Sequence, residues 1–468
     1  MAEPVVIIGG GISGLSVAYR LQEHSIPFQL YEAGSSFGGN IQTYQKGDSL
    51  FDLGPDAFLK TKPAAAALCR EVGLGDQLIS PPARGRRVYV GKNRQLIPFP
   101  QGLSLGVPVR PRALFSTPLL SWRGKLRACL EPLVPRRSGG EESIAQFFRR
   151  RLGVEMATVL TTPLLSGVYA GDAETLSVDA CFPQFVEMEQ KHGSLLSALS
   201  GGKKGLRLLR HLLTARPKAQ ESPFLSLRRG LGQLVDELVH RLPSEKLHLS
   251  TKVKGIKREG DSFLIDVDGT SLRAQQVVLA LPPWSAARLL SDSFPEAALA
   301  LSGIRGRPTA TVHFSFPREK LPRDLDGSGF IVPPGEGNIL AATFVSSKWD
   351  GRALQDEALI RCFVGGARVD ISSKTDQEIV EIAESELQHW LGRGGAPSWT
   401  HVFRYEKGTP QPELGHLAKL DIVEKSLAEC PGLHLLGSGY RSVGIPDCIA
   451  QAERVAAMIL DTESNASQ

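Results

Sequence analysis

Pro4-Val5-Val6-Ile7-Ile8-Gly9-Gly10-Gly11-Ile12-Ser13-Gly14-Leu15 decides how this chain begins to fold. The run from Pro4 to Ile8 is short and wholly apolar, as a strand buried on both faces must be. It passes directly into Gly9, Gly11 and Gly14, after which Leu15, Ala18, Tyr19 and Leu21 recur at roughly helical spacing. A second strand is predicted from Pro27 to Tyr31, ending on Glu32. Glycines spaced G-x-G-x-x-G between a strand and a helix have separate tasks. The first allows a tight turn, the second lets a pyrophosphate approach the backbone, and the third lets helix and strand pack closely. The helix N-terminus beyond them offers unpaired N–H groups and a partial positive charge to phosphates. Glu32 stands eighteen residues past Gly14, where a carboxylate can accept hydrogen bonds from a ribose. A dinucleotide-binding α/β unit is therefore expected at this end of the chain.

The 468 residues suffice for two or three domains and a large core. Cys69, Cys129, Cys181, Cys362, Cys430 and Cys448 lie far apart with no C-x-x-C, which argues against a disulfide framework or a zinc site and for a reducing compartment. No basic stretch followed by an apolar one opens the chain, so secretion is not expected. No run of 18 apolar residues could span a membrane as a helix.

The net charge of +5 is unevenly placed. Between Arg84 and Arg137 twelve Arg and Lys face a single acid, Glu131, and between Lys203 and Arg229 eight basic residues face Glu221 alone. These two stretches carry +11 and +7, which leaves the remainder of the chain at −13. In the first, Leu103, Leu105, Leu114, Phe115, Leu119, Leu120 and Trp122 are interleaved with Arg110, Arg112, Arg123, Lys125 and Arg127. Nucleic acid is not expected as a partner, because prolines break the periodicity and no nucleic-acid motif is present. A simple solvated loop would hold less leucine. An anionic membrane surface fits best, with apolar groups entering the interface and basic ones meeting lipid phosphates.

Further along, helices are predicted over Lys62 to Val72, Ser143 to Leu152, Met156 to Leu165, Ser226 to Leu242 and Asp376 to Leu391. Strands are predicted over Leu247 to Val253, Phe263 to Val267 and Val277 to Leu281, then Thr309 to Phe316, Gly329 to Val332, Leu340 to Val345, Leu359 to Val364 and Leu433 to Leu436. Residues 308–425 read as mixed β structure with one helix. A last helix, apolar at 449, 452, 455, 456 and 459, ends in a tail, TESNASQ, that reads as frayed.

The stretch Glu32-Ala33 … Gly38-Gly39-Asn40 … Gly54-Pro55 resembles the extended signature of flavoproteins of the amine oxidase and protoporphyrinogen oxidase superfamily. With Gly437-Ser438-Gly439-Tyr440-Arg441-Ser442-Val443-Gly444-Ile445-Pro446-Asp447, Gly167-Val168-Tyr169-Ala170-Gly171-Asp172, Arg86-Arg87-Val88-Tyr89-Val90 and Val364-Gly365-Gly366-Ala367-Arg368, the chain is similar to the protoporphyrinogen oxidase family over nearly its whole length. The resemblance implies an α/β protein. Its expected parts are an FAD-binding Rossmann-like domain (1–84, 206–284 and 426–468), a mixed-sheet α+β substrate domain (285–425) and an α-helical membrane-associating insert (85–205). It also implies a cytoplasmic protein, peripheral on the inner face of the cell membrane.

Carried over, FAD contacts fall on Gly9, Gly11, Ser13, Gly14, Glu32, Ala33, Asn40, Gly54, Pro55, Asp56 and Ala57, with Val253 at the adenine. Val443, Gly444 and Ile445 fall by the isoalloxazine, and Tyr405 stands where the family usually has Trp. Asn40 departs from the usual large residue, and Gln411-Pro412 from the usual Gln-Tyr. Substrate contacts fall on Arg86, Ile331, Leu340 and Ile360. Arg86 would hold a propionate as a bidentate fork, and the apolar residues would face a flat tetrapyrrole. Arg87, one residue away, could share that task.

The implied reaction removes six electrons from a porphyrinogen in three cycles, with dioxygen as final acceptor. The backbone carbonyl of Gly167 would assist tautomerisation, since no His or carboxylate stands out as a base. Protoporphyrinogen IX is the first expectation and coproporphyrinogen III the alternative, with an amine oxidase or carotenoid desaturase of the same superfamily behind them. The next enzyme of heme synthesis, a chelatase, is a conceivable partner. A flavin-less prenyl-protein carrier of the same fold is opposed by the presence of both Glu32 and the Val443–Asp447 motif.

Overall fold

Val5–Ile8 is the central strand of a five-stranded parallel sheet in the computed structural model, which describes residues 3–104, 106–109, 111–203, 207, 222–441 and 443–466. Phe28–Tyr31 and Val277–Leu279 flank it, and Leu247–His248 and Leu433–Leu435 form the outer strands. Alternate side chains of the central strand go to opposite cores, as the two-residue period requires. Val5 and Ile7 join Leu15, Leu238 and Ile449 under the helices Ile12–Glu23, Gly232–Arg241 and Ile445–Ala466. Val6 and Ile8 join Ile265, Leu290 and Leu301 under an antiparallel sheet (Val253–Glu259, Ser262–Val267, Thr270–Ala274) and two further helices. This unit gathers Met1–Ser80, Pro223–Arg305 and Leu417–Gln468.

The second unit gathers Pro81–Ser222 and Gly306–His416. Its seven-stranded sheet runs in the order Trp399–Tyr405, Thr309–Pro317, Glu357–Gly365, Ile339–Phe344, Gly329–Ile331, Val88–Lys92, Gln95–Pro98. One face packs on the helix Asp376–Leu391, with Val312, Phe314, Ile360 and Trp390 in the core between them. The expected insert and substrate domain thus share one unit. Residues 88–98, read from sequence as the start of a membrane segment, are a hairpin whose first strand pairs parallel with Gly329–Ile331.

Several boundaries move, each for a visible reason. The helix expected from Ser226 starts at Gly232, because Ser226 and Leu227 pair with Ile79 and Leu78 and Gly230 turns with φ +94°. Leu247 to Val253 is two strands, separated at Ser250 with φ +51°. The last helix continues to Ala466, with Thr462 and Ser464 hydroxyls donating to the carbonyls of Met458 and Leu460, so most of the expected tail is helical. An additional helix, His416–Leu427, begins within 308–425 and runs past its end. Leu103, Leu114, Leu119 and Leu120, expected at a membrane, are buried in protein. Leu105, Arg110, Ser442 and most of the basic stretch from Lys203 to Arg229 lie outside the described residues. Among the described residues no helix is long and apolar enough to cross a membrane.

The helical part of the second unit is held by buried charge. Arg151 and Glu131 are both fully buried and paired. Glu131 also accepts from the Leu195 and Leu196 amides at 2.9 and 3.2 Å and from the Ser194 hydroxyl at 2.6 Å, so one carboxylate caps the helix Leu195–Leu199. Arg151 also meets the buried Glu189 at 3.2 Å, so the charges form a shared buried network in which each carboxylate offsets part of the desolvation of the guanidinium.

Candidate functional site

Each glycine of the N-terminal turn performs a distinct task. Gly9 has φ +107°, and a Cβ there would strike the carbonyl of Ala280. A Cβ on Gly14 would overlap the Gly9 carbonyl oxygen, so helix and strand touch only because that side chain is missing. Gly11 differs. Its φ of −73° suits any residue, and a Cβ there would meet nothing within 4 Å. Open space above the helix N-terminus, with no side-chain cap and no acid in the first turn, is what a diphosphate requires. Glu32 accepts from the Gly10 amide at 2.7 Å and the Gly34 amide at 2.6 Å, tying the second strand to the turn. A carboxylate has further acceptor capacity for a ribose. Beside it lies a cleft of about 260 Å³, walled by Tyr31, Glu32, Ala33, Val253 and Leu281, which suits an adenosine.

The pair Gly38-Gly39 lies against the same turn. The Gly38 amide donates to Gly10 O at 2.8 Å, and a Cβ on Gly39 would sit 3.5 Å from the Gly11 Cα. Asn40 is exposed beyond it. Gly54 to Ala57 follow the hairpin Thr43–Lys46/Ser49–Asp52, which is tied by Thr43 and Asp52 to the start of the helix Gly232–Arg241.

The C-terminal motif, more than 420 residues away in sequence, returns to the same place. A Cβ on Gly437 would come within 3.7 Å of the Ser13 hydroxyl, and the Gly437 amide donates to Gln451. Tyr440 donates to the Leu281 carbonyl at 2.9 Å, and burial pushes its phenol well up. Burial also raises the Cys448 thiol to about 11, beside Ser13. Val443 and Gly444 are half-buried ahead of the helix that Ile445 begins, and Asp447 in its first turn is held by Lys62 Nζ at 2.6 Å. Two helix N-termini therefore open on one glycine-walled space, and the residues present fit a dinucleotide.

In the second unit, Gly167 ends the helix Thr162–Ser166, and its carbonyl accepts from the Ala170 amide at 3.3 Å. The turn is clamped: Gln411 Nε2 donates to Tyr169 O at 2.8 Å, the Ala367 amide donates to Ala170 O at 3.2 Å, and a Cβ on Gly366 would overlap that same oxygen. The segments Gly167–Asp172 and Val364–Arg368 are thus one feature in space.

Arg86 closes a 3-10 turn, Ala83–Arg86, rather than lying in an extended segment, and its Nε donates to Pro81 O at 3.1 Å. Arg87 is ion-paired with Asp326 at 2.5 Å and Arg84 with Asp350. Ile331 is half-buried on the sheet face away from the helix Asp376–Leu391. Leu340 is the extra residue of a bulge, its carbonyl accepting from Val332. Ile360 does not join them. It is fully buried in the core on the helix side, because its parity along the strand is opposite. Register places Ala341, Phe363, Thr311 and Phe403 in the row of Ile331, and Thr343, Arg361, His313 and His401 in the next row. Tyr405, at the end of its strand, packs edge-on against Phe403.

Arg361 and Phe363 are what sequence reasoning missed on this face. Arg361 is 3% exposed, with its guanidinium 4.6 Å from the Phe363 ring centroid. Burial first, then the Arg361 and His401 charges, hold His313 well below the usual histidine range, so it is neutral. Counting alternation outward from Ile331 across the register would have found both; strand pairing is what the sequence lacks.

The family model for flavin containing amine oxidoreductases matches residues 12–460. Coproporphyrinogen III oxidase of Bacillus subtilis (strain 168) is 35% identical over 460 residues, covering 96% of each chain. Protoporphyrinogen oxidase of Bos taurus is 31% identical over 496 residues, covering 99% of this chain and all of the relative. The crystal structure of a putative protoporphyrinogen oxidase from Exiguobacterium sp. 255-15 superposes with a TM-score of 0.83 at 30% identity, covering 98% of this chain and 99% of that one.

Proposed function

We propose, from the premise that the chain belongs to the flavin containing amine oxidoreductase family and is an FAD-dependent oxidase, that it converts coproporphyrinogen III to coproporphyrin III. Protoporphyrinogen IX, the first expectation from sequence, becomes the competing substrate. The order is reversed because the relative at 35% identity, which covers 96% of each chain, is named for the four-propionate porphyrinogen, and because Arg361 adds a guanidinium to the sheet face that bears Ile331. The observation that carries the reading is the open space over Gly11, where the two glycine motifs meet.

FAD, when bound, supplies the two-electron acceptor that dioxygen regenerates. The backbone at Gly9, Gly11, Ser13 and Gly14 holds the diphosphate, Glu32 and Ala33 the ribose, and Val253 the adenine. Asn40, Gly54, Pro55, Asp56 and Ala57 complete the seat, with Val443, Gly444 and Ile445 at the isoalloxazine, and the family resemblance assigns Tyr405 to the cofactor as well. Arg86 takes a propionate, Ile331 and Leu340 contact the macrocycle, and the clamped turn holds the Gly167 carbonyl still for tautomerisation. Six hydrogens leave the porphyrinogen, and three dioxygen molecules become three of hydrogen peroxide. The helical insert works against an anionic lipid surface.

The test is porphyrin fluorescence and peroxide yield from purified holoenzyme with each porphyrinogen. The expected result is turnover of both, with kcat/KM higher for coproporphyrinogen III. Turnover of neither sinks the proposal, and a preference for protoporphyrinogen IX sinks the choice of substrate.

A further inference from the structure

The helix Trp122–Cys129 is built inside out. Its N-cap is sound, since Ser121 accepts from Gly124 N at 3.1 Å while its own amide and hydroxyl donate to Glu155 at 2.6 Å. Yet Lys125 is buried, with its ammonium donating to Phe115 O at 3.1 Å and lying 5.2 Å from the Trp122 ring centroid. The outward face is apolar: Trp122, Leu126 and Leu130 recur every fourth residue and are 66, 55 and 52% exposed, and Leu133 beyond them is 78% exposed. Surface apolar residues scattered singly need no explanation, but a ridge at helical spacing does.

The ridge ends at a cleft of about 790 Å³ whose walls include Leu130, Leu133, Arg127, Arg136, Arg137 and Arg150. Arg137 is paired with Asp179, and Arg150 with Glu142 and Glu189. Arg127 gives its guanidinium to the carbonyls of Arg150 and Arg151, at 2.6 and 3.1 Å, and so keeps its charge. Arg136 is exposed and makes no hydrogen bond or ion pair among the described residues. The cleft therefore offers two guanidinium charges without carboxylate partners next to two exposed leucines.

We propose that this cleft seats the headgroup phosphate of an anionic membrane phospholipid, with the Trp122–Leu133 ridge entering the lipid beside it. This deepens the lipid-surface part of the function proposed above and names its residues. An acidic protein partner would meet the charges but not need the ridge, and a second copy of this chain would bring the same positive charge to itself. A phospholipid answers both features at once, with a phosphate for the guanidiniums and acyl chains for the leucines.

The experiment is cosedimentation of the holoenzyme with vesicles of phosphatidylcholine alone or mixed with phosphatidylglycerol. The parent should bind the mixed vesicles. Leu130→Ser with Leu133→Ser should weaken that binding at least tenfold. Arg136→Gln should weaken it by about tenfold while leaving any binding to phosphatidylcholine unchanged. All the substituted side chains are exposed, so folding is not at stake, and thermal unfolding and flavin content should match the parent.

Parental binding by Arg136→Gln removes the phosphate seat, and parental binding by the double leucine variant removes the ridge. Displacement by inorganic phosphate beyond that by chloride at equal ionic strength would point to a free-anion site and overturn the lipid assignment. A parent dimer in sedimentation velocity that the leucine substitutions dissolve, without vesicle binding, would assign the ridge to a second copy instead. Porphyrinogen turnover measured without vesicles reports on the reaction alone, so either proposal can fail without the other.

Discussion

Gly11→Val and Gly14→Ala separate cofactor binding from folding. At Gly11 the backbone, with φ −73°, accepts a valine, and a Cβ meets nothing within 4 Å. The cost to the fold is the weaker helix cap that valine makes, about 1 kcal/mol. The same side chain occupies the space needed by the diphosphate. Losing two charge-assisted hydrogen bonds from the helix terminus, at about 1.5–3 kcal/mol each, weakens FAD roughly a hundred- to ten-thousandfold. At Gly14 the added methyl overlaps the Gly9 carbonyl and lies 3.3 Å from the Ala280 Cβ, so strand and helix must separate, at about 1–3 kcal/mol or more. The assay is FAD released per protein, with circular dichroism and thermal unfolding alongside. Gly11→Val should be folded and colourless, and Gly14→Ala destabilised as well. A Gly11→Val protein carrying a full complement of FAD at parental affinity would show that the diphosphate lies elsewhere.

Arg86→Ala should raise KM for the porphyrinogen roughly ten- to a hundredfold, by loss of a charge-assisted pair, while Arg87→Ala, already committed to Asp326, should leave it near parental; steady-state kinetics with matched FAD content decide, and the reverse pattern would move the propionate to Arg87. Glu131→Gln leaves the fully buried Arg151 with Glu189 alone, at 3.2 Å and shared with Arg150, and should cost about 1–3 kcal/mol, read by denaturant unfolding; unchanged stability would show that the Glu131 charge carries none. Burial lowers His434 to about 4, so the unfolded chain binds a proton that the folded one refuses. Stability is whole above the unfolded value near 6.5 and falls as pH drops toward 4, by up to about 3 kcal/mol. His434→Gln should flatten that part of the stability–pH curve, and an unchanged slope would assign it to other groups.

The dinucleotide fold was legible because its information is local. Pro4 to Glu32 contains the strand, the turn, the helix and the acid in one stretch, and each has a physical reason at its own position. The strand Trp399–Tyr405 was not legible, since only its pairing with Thr309–Pro317 makes it one. The stretch from Arg84 to Arg137 was legible in charge but not in shape. Charge can be counted along a sequence. Yet of its interleaved apolar residues Leu103, Leu114, Leu119 and Leu120 face the protein and Trp122 faces out, and that division follows from which side of a strand, a turn or a short helix finds a core.

The substrate face shows what pairing adds. Ile331, Leu340 and Ile360 are all aliphatic and all in strands or beside them, and nothing in their types tells them apart. A strand turns each side chain over at every step, so an error of one position moves a residue from pocket to core. Ile360 faces the helix Asp376–Leu391 with Phe314 and Phe344, whereas Arg361, its neighbour, faces the other way. The same argument bears on Arg86 and Arg87. Sequence could not choose between adjacent arginines, but Asp326 holds one of them, and a guanidinium already answered by a carboxylate gains less from a propionate. Partners of this kind are three-dimensional, and a sequence does not display them. In the same way Gly366 needs no side chain because Ala170 O lies where its Cβ would be. That contact joins two segments nearly 200 residues apart and makes the turn after Gly167 a rigid one.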